Sequence, residues 1–310
     1  MPMSRQLVRE SPAKTGVSRA TVLLTIAMAG WGTIGLFAQG AKTDPITIAA
    51  WRCVFAVGSL ILMSLLVGAF RASRFTARAV TLTLVGGIAL VANWILLFAA
   101  FDATTITIAT VSYHMEPFFL VAIGSIIARR APSRLSICWL LIGFTGLIFT
   151  TRFLRFDGLA IDSTSLIGPL AGLGAGLLYA VATLLAQRTE GIHPQVMTLM
   201  QCALGALVLL PFAGMLDWNG TSWWWIAAMG IIHTGILYWF LYAAARKVST
   251  ITLAALSFVN PAVAVLTDIL LTGKLPTAEQ LLGIALIIAA TLAVTLGPAN
   301  QRDRPHNPKT

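Results

Sequence analysis

Ionisable side chains are scarce in the apolar stretches of this chain, so those that occur there mark candidate sites. Such stretches contain Arg52, His114, Glu116, His233 and Asp268. A titratable side chain is costly in hydrocarbon and usually faces a cavity or a partner. Tyr113 shares the helical face of Glu116, and His114 borders that face. A carboxylate, a phenol and an imidazole placed together are suited to a small solute that carries an ammonium and a carboxylate.

Two prolines stand beside polar residues in corresponding places of the chain. Pro117 follows Glu116, and Pro261 follows Asn260, with Ser257 on the helical stripe of Asn260. A proline inside a helix removes one backbone hydrogen bond and leaves a carbonyl without its amide partner. We therefore predict helix breaks or hinges at Pro117 and Pro261, with Ser257 and Asn260 facing the same cavity as Glu116.

Further polar and aromatic residues complete the predicted binding set. His233 is able to relay protons or to bind a carboxylate, and Trp31 and Tyr179 offer rings for stacking. The alternatives are structural: Glu116 paired with an arginine or a hydroxyl, His233 bonded between helices, and the rings in interfacial belts. The full set is Trp31, Asn93, Tyr113, His114, Glu116, Tyr179, His233, Ser257 and Asn260.

Other candidates are expected to lie closer to the membrane surface. Arg52 stands near the outer end of its stretch and is predicted to extend to the lipid headgroups, with binding of a solute carboxylate as the alternative. Asp268 is predicted to be interfacial. Tyr238 is a further cavity candidate, whereas we expect Trp239 to contact lipid or pack against neighbouring helices.

Sequence patterns of enzymes and metal sites are absent. The chain has no HExxH, no CxxC and no two histidines spaced as metal ligands on one helix. The series Gly172, Gly174 and Gly176 lacks the last glycine of a dinucleotide motif and is interpreted as helix packing. We therefore expect no catalytic residue, no metal and no cofactor. Three cysteines are interpreted as small packing residues: Cys53, Cys138 and Cys202.

The composition identifies the class of protein. Of 310 residues, 57% are hydrophobic and only 10% are charged, and the mean hydropathy is +0.85. Soluble domains carry about 25% charged residues, so we predict an all-α integral membrane protein in a lipid bilayer. The net charge of +10 is spread over short clusters between apolar runs, which argues against nucleic acid as a partner.

The apolar runs give the number of membrane spans. A bilayer core of about 30 Å requires about 20 helical residues. The first run follows a basic tail and exceeds the length of a signal-peptide core, so it is interpreted as a retained helix. Ten runs are found, at residues 20–40, 46–69, 79–101, 104–128, 135–154, 166–187, 195–215, 222–244, 249–272 and 278–297.

Basic residues predict the orientation of these spans. With the N-terminus inside, sixteen Lys and Arg residues fall in inner segments and four fall in outer loops. Cytoplasmic loops carry such an excess of positive charge. The prediction is a multi-pass protein with both termini in the cytoplasm.

Internal similarity divides the chain into two halves. A shift of 144 residues places Pro117 on Pro261 and Glu116 on Asn260, and a shift of 149 places Cys53 on Cys202. Five helices per half make the halves inverted repeats, which is typical of secondary transporters with a site at the midplane. The predicted parts are residues 1–19 (cytoplasmic tail), 20–154 (first repeat), 155–165 (external linker), 166–297 (second repeat) and 298–310 (cytoplasmic tail).

The order of these features resembles the drug/metabolite transporter superfamily, and specifically its ten-helix EamA-type members. The resemblance covers residues 20–297. It rests on Trp31-Gly32, Pro45, Arg52, Pro117, Pro132, Pro261 and the Lys274-Leu-Pro276 run. Two departures are Gln201, which stands where the second half would repeat Arg52, and Trp139, which stands where the first half would repeat Gly283. The resemblance implies a metabolite exporter of the bacterial inner membrane, most similar to exporters of amino acids, including aromatic ones.

The sequence thus predicts a secondary transporter that exports small metabolites, most of all aromatic or other apolar amino acids, by alternating access. The alternatives are a transporter of drugs, nucleotide precursors or sugar derivatives, a channel, and a membrane-embedded enzyme. Saturable flux with counterflow separates a carrier from a channel. Proton coupling through Glu116 or His114 is left open, as is the oligomeric state.

Overall fold

The chain folds into helices throughout the part that the structure covers. The computed structural model describes residues 18–104, 106–151, 166–216, 218, 220, 222–272 and 275–296, and no strand occurs among them. The α-helices described are α1 (Arg19–Trp31), α2 (Ile34–Ala41), α3 (Pro45–Leu66), α4 (Ala77–Ala103), α5 (Ile106–Tyr113), α6 (Glu116–Ala128), α7 (Arg134–Thr150), α8 (Ile167–Arg188), α9 (Pro194–Leu209), α10 (Ser222–Ala228), α11 (Leu237–Ala245), α12 (Thr250–Ser257), α13 (Val259–Thr272) and α14 (Ala278–Leu296). A π-helical segment (Met229–Ile236) joins α10 to α11, and a 3-10 turn (Leu210–Phe212) follows α9.

Short polar residues set the starts of these helices. The side chains of Ser18, Asp44, Thr76, Ser133 and Ser249 each accept a hydrogen bond from the backbone amide three residues later. Such capping satisfies amides that have no partner inside the helix. The starts of these five helices are therefore encoded locally, by a polar residue just before the apolar run.

Ten apolar spans result when helices that continue one another are joined. Nine helical segments in the described residues are long and apolar enough to cross a membrane. The tenth is α7, an apolar helix of 17 residues. The predicted fold class is thereby confirmed. The sequence did not indicate the turn at Gly32 and Thr33, which divides the first predicted span into α1 and α2. Nearly all of the predicted tails and linker, at 1–17, 155–165 and 298–310, lies outside the described residues.

Helix pairs from opposite halves form the interface of the bundle. The most extensive contacts join α4 to α8, α7 to α14 and α3 to α9. Cys53 on α3 and Cys202 on α9 are both buried, and their side chains lie beside each other. The packing interpretation suits these two cysteines. It is wrong for Cys138, which is exposed on the surface of the bundle.

Two spans are broken at equivalent positions of the two halves. The first break lies between α5, which ends at Tyr113, and α6, which begins at Glu116; the second lies between α12, which ends at Ser257, and α13, which begins at Val259. Pro117 and Pro261 fall in the first turns of α6 and α13, where a helix needs no amide donor. Breaks are thus found where the prolines predicted them.

A glycine from the opposite half packs against each break. A Cβ at Gly176 on α8 would lie 2.5 Å from the carbonyl oxygen of Tyr113 at the first break. A Cβ at Gly32 would lie 2.7 Å from the carbonyl oxygen of Asn260 at the second break. Only glycine permits this approach, because real Cβ atoms do not come so close to backbone. Gly32 and Gly176 are themselves 144 residues apart, so the contact obeys the internal repeat.

The loops that carry the basic residues meet at one end of the bundle, which we call the basic end. Arg246 donates hydrogen bonds to the carbonyl oxygens of Thr189 at 2.8 Å and Ile192 at 3.4 Å. The amide of Arg74 donates to the carbonyl oxygen of Gly191 at 2.9 Å. The Arg246 bonds lie within the second half, whereas the bond from Arg74 of the first half to Gly191 of the second ties the halves together at this end.

We expect the glycine contact at the first break to be essential for stability. Replacing Gly176 with Ala forces the α8 backbone away from Tyr113, and overpacking of this kind costs about 1–3 kcal/mol. The melting temperature in detergent, followed by tryptophan fluorescence, should fall. Gly58→Ala is the matched control, because nothing lies within 4 Å of a Cβ at Gly58. Equal melting temperatures for the two variants would contradict the structural role of Gly176.

Stability should also depend on pH through His193, at the basic end. Its amide donates to the Ser73 hydroxyl at 3.0 Å, and its Nδ1 accepts from the Gln195 amide at 3.4 Å. Partial burial, and then the charge of Arg246, hold the pKa of His193 below its ordinary value of 6.5. The unfolded chain therefore binds more protons, and stability falls as the pH drops through about 6.5.

The corresponding measurement is the melting temperature of wild type and His193→Asn between pH 7.5 and pH 5.5. Asparagine keeps a side-chain acceptor at the start of α9 but does not titrate. Wild type should lose more thermal stability on acidification than the variant. A pH dependence that is identical in the two proteins would exclude His193 as its origin.

Candidate functional site

A cavity of about 660 Å³ lies between the two halves and is partly open. Its walls come from both halves. At the open side the lining includes Pro45 at the start of α3, Thr151 after α7 and Gln280 near the start of α14. These positions are at the end of the bundle opposite the basic end. The cavity therefore reaches from the two breaks toward one end of the bundle only.

Glu116 connects the two breaks at the centre of this cavity. It is the first residue of α6 and is 2% exposed, and its Oε1 has no hydrogen-bond partner among the described residues. The Ser257 side chain, at the end of α12, lies next to its carboxyl group. The Ser257 hydroxyl donates to the carbonyl oxygen of Ala254 at 2.8 Å. Toward Glu116 it therefore presents lone pairs, which suit a carboxyl that carries a proton.

The neighbours of Glu116 in the first half also line the cavity. His114 is buried, and its Nδ1 lies 2.8 Å from the carbonyl oxygen of Thr110. Since a carbonyl only accepts, Nδ1 carries a hydrogen and Nε2 is the free acceptor of a neutral ring. Asn93 donates from Nδ2 to the carbonyl oxygen of Ala175 at 2.7 Å, and its side chain lies beside the Tyr113 hydroxyl.

His233 lies in the π-helical segment, whose register frees a backbone carbonyl. Trp31 Nε1 donates to that carbonyl, the oxygen of His233, at 2.8 Å. The His233 Nε2 lies 2.9 Å from the hydroxyl of Thr33, which itself donates to the carbonyl oxygen of Gly30. Nε2 is therefore the donor, and Nδ1 is a buried acceptor without a partner in the described residues. Single π-helical turns often occur at functional sites because they redirect such groups.

Aromatic rings form one wall of the cavity. The ring centroids of Trp31 and Tyr238 are 4.7 Å apart, those of Trp31 and Tyr179 are 6.5 Å apart, and those of Tyr113 and Tyr179 are 6.2 Å apart. The two contacts of Trp31 are edge-to-face and the contact between Tyr113 and Tyr179 is tilted, and such contacts stabilise the rings in fixed positions. The wall offers rigid apolar surface next to the polar groups of Glu116.

The prediction that Arg52 extends to the lipid headgroups is wrong. Its side chain is 5% exposed and lines the cavity, with the guanidinium carbon 4.2 Å from the centroid of the Trp94 ring. The prediction was based on the short distance between Arg52 and the outer end of its helix. It failed because the cavity extends inward beside that part of α3, so a residue near the outer end is able to face the cavity. The contact with Trp94 is a cation–π interaction.

The structure brings the whole predicted binding set to one cavity. Its lining includes all nine of these residues and Pro261: Trp31, Asn93, Tyr113, His114, Glu116, Tyr179, His233, Ser257, Asn260 and Pro261. Pro117 is buried in α6 but is not part of the lining. Trp239 is also outside the lining, and the side chain of Asp268 is outside the described part of the chain.

The lining also contains residues that sequence reasoning did not single out, among them Trp94, Thr110 and Gln280. Trp94 follows Asn93 directly, and its ring gives no sign in the sequence that it meets Arg52. Thr110 lies one turn before His114 on the helix, so helical spacing was a usable signal. Among the described residues, no group of three or more His, Cys, Asp or Glu side chains is able to hold a metal ion.

Known proteins similar to this chain include uncharacterised transporters and a threonine/homoserine exporter. The transporter YxxF of Bacillus subtilis (strain 168), described as uncharacterised, is 31% identical over 288 residues, which cover 90% of each chain. An uncharacterised transporter of Archaeoglobus fulgidus is 24% identical over 88% of this chain and 94% of its own. The threonine/homoserine exporter RhtA of Escherichia coli (strain K12) is 28% identical over 163 residues, or 51% of this chain and 54% of its own.

A solved structure shares the fold, and a family model matches both halves. The crystal structure is of a protein 19% identical to this chain, with a TM-score of 0.79 over 93% of this chain and 99% of the other. The model of the EamA-like transporter family matches residues 18–152 and again residues 166–296. Two matches in one chain agree with the repeated breaks and with the repeated glycine contacts. This chain is therefore a multi-pass membrane transporter and belongs to the EamA-like transporter family.

Proposed function

We propose that the protein is a secondary transporter that exports amino acids, aromatic or otherwise apolar, across the bacterial inner membrane by alternating access. The observation that carries the proposal is one partly open cavity between the halves, in which buried polar groups lie beside an aromatic wall. At about 660 Å³ it is within the range of small-molecule sites. The likeness to a threonine/homoserine exporter over half of the chain supports an amino acid as the solute.

The same cavity argues against the other classes of function weighed above. A carrier needs a site that faces one side at a time, and the contacts of the basic end separate this cavity from that end. A nucleotide precursor or a sugar phosphate would bring several negative charges, whereas Arg52 is the only Lys or Arg among the described residues of the lining. A drug or another neutral metabolite is the remaining alternative, and it would not require Glu116.

The two ends of the bundle differ, since the cavity reaches one end and loop contacts close the basic end, and this difference supports alternating access. If the basic loops are cytoplasmic, as their charge predicts, the described conformation faces outward. Inward opening then requires the contacts at the basic end to break. Between the halves these include the bond from the Arg74 amide to the carbonyl oxygen of Gly191 at 2.9 Å and the bond from the His193 amide to the Ser73 hydroxyl at 3.0 Å. Both are single hydrogen bonds, which supports interconversion of the two states.

Glu116 is the group through which proton movement would be coupled to this motion. When Glu116 is ionised, its carboxylate accepts hydrogen bonds. The Ser257 hydroxyl is able to donate to it only if its hydrogen bond to the carbonyl oxygen of Ala254 breaks. Protonation at the first break thus changes hydrogen bonding at the end of α12, beside the second break. A solute ammonium is the competing partner for the ionised carboxylate. Proton and solute would therefore bind Glu116 in turn.

We expect replacement of Glu116 with Gln to abolish coupled transport. Gln keeps the size of the side chain but neither ionises nor pairs with an ammonium, so uptake of labelled phenylalanine or threonine into proteoliposomes should fall by at least tenfold. The matched control is Glu279→Gln, which removes a carboxylate at the start of α14 outside the cavity lining. Saturable uptake by wild type that is unchanged in Glu116→Gln would remove Glu116 from the mechanism.

Labelling of single cysteines tests the predicted orientation. In a Cys138→Ser background, whose other cysteines are buried, Ala264→Cys places a thiol in the cavity lining and Lys247→Cys places one at the basic end. A membrane-impermeant maleimide added to whole cells should label Ala264→Cys alone, and Lys247→Cys should require permeabilisation. Reversal of this pattern would invert the topology and with it the outward-facing state.

A further inference from the structure

We propose that Arg52 binds the carboxylate of the transported solute, through Nε and Nη2. This inference rests on the proposed function only in that the solute enters the cavity. It assigns a binding role to a residue for which the sequence favoured an interfacial position, and it restricts the solute to molecules with a carboxylate at one end.

The free donors of Arg52 have the right geometry. Nε and Nη2 are both buried and neither has a hydrogen-bond partner among the described residues. In a guanidinium group the Nε and Nη2 hydrogens lie on the same edge and point in the same direction. This edge is one that binds both oxygens of a carboxylate in two parallel hydrogen bonds. The unfilled donors of Arg52 therefore match one carboxylate.

The energetics favour an anion that the protein does not itself supply. An arginine remains charged in proteins, and a buried charge without a partner is destabilising. Trp94 offsets part of this cost through its ring face, 4.2 Å from the guanidinium carbon, because a cation–π contact is stronger when it is desolvated. The ring also fixes the plane of the guanidinium group. A solute carboxylate would complete the site.

The second half provides an internal comparison. Gln201 occupies the position equivalent to Arg52 under the shift of 149 residues. Its Nε2 donates to the carbonyl oxygen of Thr83 at 3.2 Å, and its Oε1 accepts from the hydroxyl of Tyr242. The neutral counterpart is thus used for packing of the bundle. Arg52 has donors without partners, whereas the side-chain groups of Gln201 are both used. This difference indicates a ligand at Arg52, in the first half, and none at the equivalent position of the second half.

The other charge in the cavity lining limits the class of solute. Among the described lining residues, Arg52 carries the positive charge and Glu116 is the one carboxyl group, which is negative when it ionises. Tyr113 lies within electrostatic range of both, so the two charges share one cavity. A zwitterion with a carboxylate at Arg52 and an ammonium at Glu116 balances them. A phosphate monoester, with close to two negative charges, would leave excess charge buried.

Three probes that differ only in their charged groups test this assignment: L-phenylalanine, 3-phenylpropionate and phenethylamine. They carry both groups, the carboxylate alone and the ammonium alone. Binding is measured by thermal stabilisation in detergent and by tryptophan fluorescence, for wild type, Arg52→Gln, Arg52→Lys and Glu116→Gln. These readouts do not require transport.

For Arg52→Gln we expect at least tenfold weaker binding of 3-phenylpropionate and L-phenylalanine, with phenethylamine unchanged. Arg52→Lys keeps a point charge without the two-donor edge and should be intermediate. Glu116→Gln should show the opposite pattern, with weaker phenethylamine binding and unchanged 3-phenylpropionate binding. Phenethylamine binding also reports that Arg52→Gln is folded. If Arg52→Gln bound none of the three probes, the test would rest on Arg52→Lys. Binding of 3-phenylpropionate by Arg52→Lys that equals wild type would overturn the assignment.

The outcomes separate this inference from the proposed function. Equal binding of 3-phenylpropionate to wild type and Arg52→Gln, or no carboxylate binding by wild type at millimolar concentration, overturns the role of Arg52 whatever the transport assays give. Arg52-dependent carboxylate binding in a protein that transports no amino acid upholds the role of Arg52 and removes the amino-acid proposal.

Discussion

The contact between a glycine of one half and the helix break of the other is the constraint on which the cavity depends. A broken helix exposes backbone groups that hydrocarbon does not satisfy, so a break is stable only where protein or an aqueous cavity covers it. Gly176 lies against the carbonyl of Tyr113, and Gly32 lies against that of Asn260. Because each half covers the break of the other, the functional centre forms only at their interface.

Polar groups in the cavity are arranged along the same interface. Glu116 at the first break lies beside Ser257 at the end of α12, so polar groups of the two breaks meet at the centre of the cavity. Arg52 lies on α3, outside both breaks, and is fixed by Trp94. This separation of charges would orient a solute before the halves move.

The fold was predictable because its signals are local. Apolar runs of membrane length, polar residues before helix starts, and prolines at two equivalent positions each act within a few residues of the chain. The helix breaks at Pro117 and Pro261 follow from the missing amide alone. The turn at Gly32 and the π-helical segment around His233 have no such signal. They depend on hydrogen bonds between segments about 200 residues apart, such as that from Trp31 to the His233 carbonyl.

For the candidate site, the sequence by itself identified polar residues that are costly in hydrocarbon, and their periodicity placed them on common faces. It determined the family, the repeat and nine polar and aromatic residues of the lining. Only the tertiary structure decided where Arg52 points, since depth along a helix does not reveal how far a cavity extends inward beside it. The pairing of Glu116 with Ser257 was likewise a matter of packing, because it joins residues from two halves whose approach is set by glycines rather than by local propensity.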